Sequence, residues 1–468
     1  MPLVKGPLLR SRSRAALAVG MVLLAAAAAL AAVRPPAGPS AETREKEFVL
    51  ANGLRVYLLE KRDVPLVNIA AAVDAGSKDE TDTTSGLAHL LEHYVLFRGT
   101  ESRSGSEIAR EIRRHGAYFN AQTGQDMTVF QLSLPAEHAA FGLANQKEIL
   151  FGLKIDAREL EAEKEVVLEE LSQLRDDPLR YASSLLYQSL FRGHPYGRPV
   201  QGTEASLKAL TVEEVEAFYT SRFVPSATAL AVVGDFELAA METLVRSTFE
   251  PLPKVDPPVS HLEAPAPPAK SVDIEEALDV KEAYLVIGTR APDYSSPDQY
   301  AADLLTEILG RGLSPMLYRP LKGTRDLINT VSMSYIALKR AGAFAVSLTL
   351  DPKRVAAAKS EALKFLRQVR GENFSRSDVM GEAQPYTFDF LESARNQILL
   401  KSQQARESGL NVAVSVAMHM HLRDRIDTPD YFKTIRGLTS SDLRKAAARF
   451  LSRPEYVAVS IVPRKKEP

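Results

Sequence analysis

Three side chains able to do acid–base and ligand chemistry stand close together in His89-Leu90-Leu91-Glu92-His93. The surrounding segment, Gly86 to Phe97, reads Gly-Leu-Ala-His-Leu-Leu-Glu-His-Tyr-Val-Leu-Phe and predicts a buried helix, apolar on most of its surface. In a helix of about 3.6 residues per turn, His89 and His93 lie one turn apart and Glu92 adjoins both. Two imidazoles so spaced can share a metal ion, with the Glu in reach of a water bound to it. A chain with 8 His and 59 acids in 468 positions yields only about 0.02 chance occurrences of His-x-x-acid-His, so the pattern asks for a cause. Burying all three groups without a cation is costly, which favours a metal over internal hydrogen bonds alone.

A further ligand is available from a second predicted helix, Arg158 to Arg175. There Leu160, Glu163, Val167, Glu170 and Leu174 follow one seam, so Glu163 and Glu170 occupy positions that the pattern reserves for apolar residues. Carboxylates on a buried face require a cation or hydrogen-bond donors. Glu161, Glu165 and Glu169 belong to the solvated face of the same helix.

Composition narrows the chemistry further. The chain has no Cys, which excludes thiolate nucleophiles, disulfides, Cys-ligated zinc and iron–sulfur clusters; any metal is held by His and carboxylates. The 58 Lys plus Arg nearly cancel 59 Asp plus Glu, a net charge of -1 that leaves no electrostatic footprint for nucleic acid. Hydrophobic residues at 45% and charged residues at 25% are ordinary globular usage, and 468 residues imply two or three domains.

The elements that must position these residues fall into two halves. Residues 1–33 carry Lys5, Arg10, Arg12 and Arg14 ahead of an unbroken apolar run from Ala15 to Val33, and read as an export signal or an N-terminal membrane anchor. The protein is therefore expected to be exported, periplasmic or secreted. Seven prolines between Pro251 and Pro268 mark residues 251–270 as an extended linker between residues 43–250 and 271–468, each about 200 residues and domain-sized. Both halves open with a strand (Leu66 to Val73, Ala283 to Gly288), continue into a largely apolar helix and close on a strand (Leu230 to Gly234, Val457 to Val462). In the second half, Ala302-Asp303-Leu304-Leu305-Thr306-Glu307 stands where the first has Ala88-His89-Leu90-Leu91-Glu92-His93, as in a duplicated unit whose first copy alone keeps the polar cluster. Long helices alternating with short strands predict an α+β architecture with mixed or antiparallel sheets.

The inverted motif His-x-x-Glu-His resembles that of the inverzincins, the pitrilysin and insulinase family of metallopeptidases. The 76 residues between His93 and Glu170, and the 69 between His93 and Glu163, are similar to the family's extended pattern. Further likeness runs through Leu50 to Val56, Ala75-Gly76-Ser77, Phe97-Arg98-Gly99-Thr100, Phe119-Asn120-Ala121-Gln122-Thr123, Val166 to Glu170, His194-Pro195-Tyr196-Gly197 and Val233-Gly234-Asp235. The resemblance implies one zinc ion per chain held by His89, His93 and Glu170, with Glu92 as general base and Glu163 supporting the ligands from behind. It implies that the strand bearing Asn120 and Ala121 pairs with a peptide substrate through its edge. It also implies two related domains forming half of a clamshell, and endopeptidase activity on short or unfolded chains.

Two departures from the family stand out. Active single-chain members carry an Arg and, seven residues later, a Tyr in the second half; here the corresponding positions hold Lys322 and Asn329. The resemblance then implies a homologous partner subunit supplying that pair, or self-association, and as the alternative a scaffold subunit that kept the fold without turnover. Tyr318, Arg319, Arg325 and Tyr335 are nearby substitutes in the sequence. The second departure is one extra residue in Tyr94-Val95-Leu96, for which a local bulge is expected.

Overall fold

A computed structural model describes residues 44–312, 315–323, 325–380, 385–423 and 431–464. The leader expected over residues 1–33 lies outside them. No helix among the described residues is long and apolar enough to cross a membrane.

The first half builds a six-stranded sheet from β1 (Glu45–Val49), β2 (Arg55–Glu60), β3 (Leu66–Val73), β4 (Tyr118–Thr123), β5 (Thr128–Pro135) and β6 (Thr228–Gly234), in the order β1-β2-β6-β3-β5-β4. The second builds a five-stranded sheet from β7 (Val272–Leu278), β8 (Ala283–Ala291), β9 (Thr330–Ala337), β10 (Gly342–Leu350) and, beyond the small hairpin β11 (Arg376–Met380) and β12 (Pro385–Asp389), β13 (Val457–Pro463). Its order is β7-β13-β8-β10-β9. With β1 set aside the two sheets have one topology, down to strand sense: β2 pairs β6 and β7 pairs β13 in parallel, and all the other neighbours are antiparallel. The two-domain α+β architecture expected from the sequence is the one found, and the duplication extends through the whole sheet.

Strand alternation explains how each sheet is buried on both faces. In β3, Val67, Ile69, Ala71 and Val73 join the first main core, whereas Ala70 and Ala72 face the other way. In β10, Phe344, Val346 and Leu348 enter the second main core while Ala343 and Ala345 point oppositely. The small side chains leave each back face shallow enough for a helix to lie against it, and the helix comes from the other half. First-half helices include α1 (Leu87–Phe97), α2 (Ala157–Gln173) and α3 (Pro178–Leu190); second-half helices include α4 (Gln299–Thr306), α5 (Phe390–Glu407) and α6 (Gly409–Leu422). On α3, Ala182, Leu186 and Leu190 cluster with Val286, Ala343 and Val459 of the second sheet. On α6, Val412, Ala413, Val416 and Ala417 cover Ala70, Ala72, Ala229 and Ala231 of the first. The halves thus exchange helices, and neither sheet is covered by its own segment alone.

Residues 251–270 form neither helix nor strand. They run along the surface, where the His194 ring contacts the Glu263 carbonyl at 2.9 Å and Arg290 donates to the Pro265 carbonyl at 3.1 Å. A Cβ on Gly288 of β8 would sit 2.7 Å from Leu186, so the fit at this crossing has no slack. Leu186→Ala is expected to cost about 2 to 5 kcal/mol, and chemical denaturation should show both sheets lost in one transition because α3 comes from the first half and covers the sheet of the second.

Candidate metal centre

The helix α1 buries Leu87, Leu90, Leu91, Tyr94 and Val95 in the first core, which leaves His89, Glu92 and His93 along the side turned to α2. Its N-terminus has no side-chain cap of its own: Gly86 is left-handed, with φ 93°, and a Cβ there would come within 2.7 Å of Gly202. Glu80 does the capping, its carboxylate accepting from the N–H groups of Gly86 and Ala88 at 2.9 and 2.8 Å. Burial pushes the Glu80 carboxyl up to about 8 in spite of those bonds. The helix continues unbroken to Phe97, with the Arg98 N–H donating to the Tyr94 carbonyl. The bulge expected at Tyr94-Val95-Leu96 does not form; the added residue is taken up as further helix, because i to i−4 hydrogen bonding goes on through it.

Tyr94 then sets the position of α2. Its hydroxyl donates to the Lys154 carbonyl at 3.1 Å and accepts from the Asp156 N–H at 2.7 Å, and Asp156 is the N-cap of α2. From that start Glu163 and Glu170 face α1. Glu170 Oε2 lies 3.7 Å from His89 Nε2 and 3.3 Å from His93 Nε2. Glu163 reaches the far side of the same imidazole: His93 Nδ1 is 3.2 Å from Glu163 Oε1, and Arg98 Nε and Nη2 donate to Glu163 Oε2 at 2.7 and 2.6 Å. The structure therefore separates the two seam carboxylates by position, one facing both imidazoles and one behind His93. The Arg98 bond had no counterpart in the sequence reading. Its signal was available, a lone Arg directly after the motif helix and opposite two acids.

These groups fit a divalent cation. His89, His93 and Glu170 each offer one ligand atom, all within 4.8 Å of one another, the one such grouping of three among the described residues. Ligands held at about 2.1 Å in a tetrahedron lie roughly 3.4 Å apart, close to the 3.3 and 3.7 Å observed here. Burial leaves His89 Nδ1 and Glu92 Oε2 without hydrogen-bond partners. Protonation states agree. Burial, with the neighbouring His93, drives the His89 imidazole down to about 3 and keeps it neutral. Burial acts on His93 as well, but hydrogen bonds to Glu163 and Glu170 outweigh it and push that ring up to about 10. The hydrogen bond to His93 holds the Glu170 carboxyl down at about 2. The three ligand atoms thus face one another at a place where a divalent cation would meet the demand of the Glu170 carboxylate.

Glu92 is 7% exposed, and burial raises its pKa, opposed by hydrogen bonding from the Thr123 hydroxyl and N–H. Thr123 ends β4, whose register with β5 sets Asn120 opposite Gln131 and Ala121 opposite Phe130. Among the described residues the other long side of β4 has no strand neighbour, so its main chain is an open edge beside the cluster. Lys322 is paired with Asp326 at 2.5 Å and Asn329 donates to Glu282 at 2.5 Å. Arg325 pairs with Glu361 at 3.2 Å, and the Tyr335 hydroxyl donates to the Pro292 carbonyl at 2.8 Å. None of these contacts involves His89, His93 or Glu170.

The second half has the same scaffold with the charges inverted. Glu307 stands in the place of His93, and α5, the counterpart of α2, presents Lys401 to it with Nζ at 2.7 and 2.8 Å from the two carboxylate oxygens. Asp303 stands in the place of His89 and accepts from the Tyr431 hydroxyl at 2.9 Å. An ammonium group thus answers the buried acid there.

Glu163→Gln should leave His93 with a neutral acceptor and Arg98 without its counter-charge. Zinc affinity is expected to fall roughly 10- to 100-fold, read by competition with a chelator. Burial pushes the Asp303 carboxyl up to about 7. Because the unfolded chain ionises this group near its ordinary value, it contributes a loss of stability as pH rises from about 4 to about 7. Asp303→Asn should remove that contribution, seen as a flatter dependence of unfolding free energy on pH.

Comparison with known proteins places this arrangement. The family described as Insulinase (Peptidase family M16) matches residues 55–204, and the Peptidase M16 inactive domain matches residues 209–382. An uncharacterized zinc protease of Mycobacterium leprae is 29% identical over 340 residues, covering 70% of this chain and 74% of the relative. A protease from Helicobacter pylori superposes with a TM-score of 0.80 at 22% identity, covering 90% of this chain and 100% of that one. The structure described as the peptidase M16 inactive domain from Pseudomonas fluorescens gives 0.79 at 21% identity, covering 91% and 100%. With both halves matched in order and the two-domain fold shared throughout, the chain belongs to the pitrilysin and insulinase-type peptidase family M16.

Proposed function

We propose that this chain is a zinc-dependent endopeptidase, the zinc-bearing subunit of a homodimer or heterodimer that encloses peptides or unfolded segments. The observation that carries the reading is the convergence of His89, His93 and Glu170 on one point, with the buried carboxylate of Glu92 beside it. In this reading His89 Nε2, His93 Nε2 and Glu170 hold one zinc ion, and Glu163 with Arg98 orients His93. Zinc held there supplies Lewis-acid polarisation of the scissile carbonyl and lowers the pKa of its water to about 7. Glu92 takes the proton of the attacking water and delivers it to the leaving amine. The open edge of β4, at Asn120 and Ala121, pairs with the substrate backbone and presents the scissile bond to the metal.

The partner follows from what Lys322 and Asn329 do not offer. A homologous chain with the Arg and Tyr pair, or a second copy of this one, completes the stabilisation of the developing oxyanion. In this reading the enzyme works outside the cytoplasm, released into the periplasm or beyond or held at the membrane by its N-terminal segment, a placement that the basic residues and apolar run within 1–33 support. A second reading, a scaffold subunit without turnover, is favoured by one observation: Lys322 and Asn329 are both engaged by local acids.

Glu92→Gln is expected to keep one zinc per chain while peptide hydrolysis drops about 100- to 10,000-fold. Metal analysis together with a fluorogenic peptide assay, on this chain alone and mixed with a homologous partner, decides between the readings. Cleavage by the Glu92→Gln protein at the wild-type rate rules out Glu92 as the base, and no cleavage under any combination favours the scaffold.

A further inference from the structure

The segment His194-Pro195-Tyr196-Gly197 takes no part in the metal cluster, yet Tyr196 is completely buried. Its hydroxyl donates to Asp126 Oδ1 at 2.6 Å and accepts from the Arg340 N–H at 3.2 Å. The second oxygen of Asp126 accepts from the Lys339 N–H at 2.8 Å. Asp126 is itself 3% exposed. Three segments far apart in sequence therefore meet on one carboxylate: the turn between β4 and β5, the 194–197 turn, and the turn between β9 and β10 of the second half.

The first of these turns is the one that matters to the metal centre. Thr123 directly precedes it, at the end of β4, the strand that packs against the Glu92-bearing helix α1. The Thr123 and Thr128 hydroxyls are 3.1 Å apart, and Thr128 donates to the Ala75 carbonyl at 2.8 Å. The turn closes through Gly124 N–H to Met127 O at 2.9 Å, and the N–H groups of Ser77 and Lys78 donate to the Gly124 and Gln125 carbonyls at 3.2 and 3.0 Å. A Cβ on Gly76 would lie 2.4 Å from the Gln125 carbonyl oxygen, so the backbones are in direct contact on that side. The first half holds the hairpin from one side, and Asp126 ties it to the second half from the other. Any displacement of the β9–β10 turn leaves an oxygen of the buried Asp126 carboxylate without its partner, which is the expensive outcome for such a group.

We propose that Asp126 is a positioning residue: with Tyr196 and the Lys339–Arg340 main chain it locks the β4–β5 hairpin to the second half. The placement of Thr123 against Glu92, and of the β4 edge at Asn120 and Ala121, then depends on the second half being docked. The catalytic consequence rests on the peptidase reading above, whereas the lock itself does not. It gives the metal-free half a task in the site of the other.

The test uses the full chain loaded with zinc, in wild-type form and as Tyr196→Phe, Asp126→Asn and Leu186→Ala. Tyr196→Phe keeps the ring and its volume, so it carries the test if Asp126→Asn fails to fold. Leu186→Ala truncates a side chain of the apolar cluster that includes Tyr196 while leaving the hydrogen bonds at Asp126 intact, and serves as the packing control. Expected for Tyr196→Phe and Asp126→Asn are full zinc content, at least tenfold faster hydrogen exchange of the amides over residues 122–128, and a kcat lowered roughly 10- to 100-fold. Leu186→Ala should lower the thermal midpoint with kcat and hairpin exchange unchanged. The proposal is overturned if the two lock variants behave like Leu186→Ala, or if their loss of rate tracks loss of zinc. If the wild type cleaves no peptide with or without a homologous partner, the peptidase reading fails, and exchange over residues 122–128 alone decides the lock.

Discussion

The first half is arranged around one electrostatic demand: two imidazoles and the buried Glu163 carboxylate held beside a second, half-buried carboxylate, Glu170. Charges in such surroundings are tolerated only when paired and hydrogen-bonded. His93 satisfies this by facing a carboxylate on each side, Glu163 at Nδ1 and Glu170 at Nε2. Arg98 neutralises the outer one. The inner one faces His89 and His93, with the Arg180 charge also acting on it, and the three ligand atoms converge on one point. The rest of the local structure serves that geometry: Glu80 anchors the start of α1, Tyr94 joins α1 to the cap of α2, and Thr123 faces the base.

The second half shows the same demand met by other means. Its sheet has the same order and strand senses, and its counterpart helices approach each other in the same way. Yet Lys401 on α5 directly answers Glu307, the residue that follows α4. A covalently attached ammonium neutralises an acid without any ion from outside. One duplicated scaffold has thus reached two electrostatic solutions, one suited to holding a metal and one suited only to holding helices together. The exchange of α3 and α6 between the halves makes them mechanically one body, because each sheet needs the other half's helix to keep its alanine-lined back face from water.

That coupling bears on how the metal-bearing half is completed. Lys322, Asn329, Arg325 and Tyr335 are committed to partners within the second half. The contribution of the second half to the site comes instead through packing and through the hydrogen bonds at Asp126. Charge that must be brought to a developing oxyanion has no evident source among those residues, which is the physical argument for a partner chain.

Much of this was legible in the residues themselves, because periodicity is a local property. The one-turn spacing of His89 and His93 and the misplaced acids Glu163 and Glu170 each follow from helix geometry within a single element. So does the alternation in β3, and the proline run marks the division of the chain. Even the duplicated outline can be traced from the order of strands and helices. What required the tertiary structure is whatever depends on contacts between elements whose relative placement no local pattern encodes. Periodicity says that Glu163 and Glu170 face inward, but only the packing of α2 on α1 sets one against both imidazoles and the other behind His93, beside Arg98. The exchanged helices depend on how side-chain volumes on four surfaces match, and the meeting of Asp126, Tyr196 and Lys339 joins positions 70 and 213 residues apart. The physical reason is the same in each case: burial and hydrogen bonding reward the global fit, and a chain's sequence records that fit only as a set of residues compatible with it.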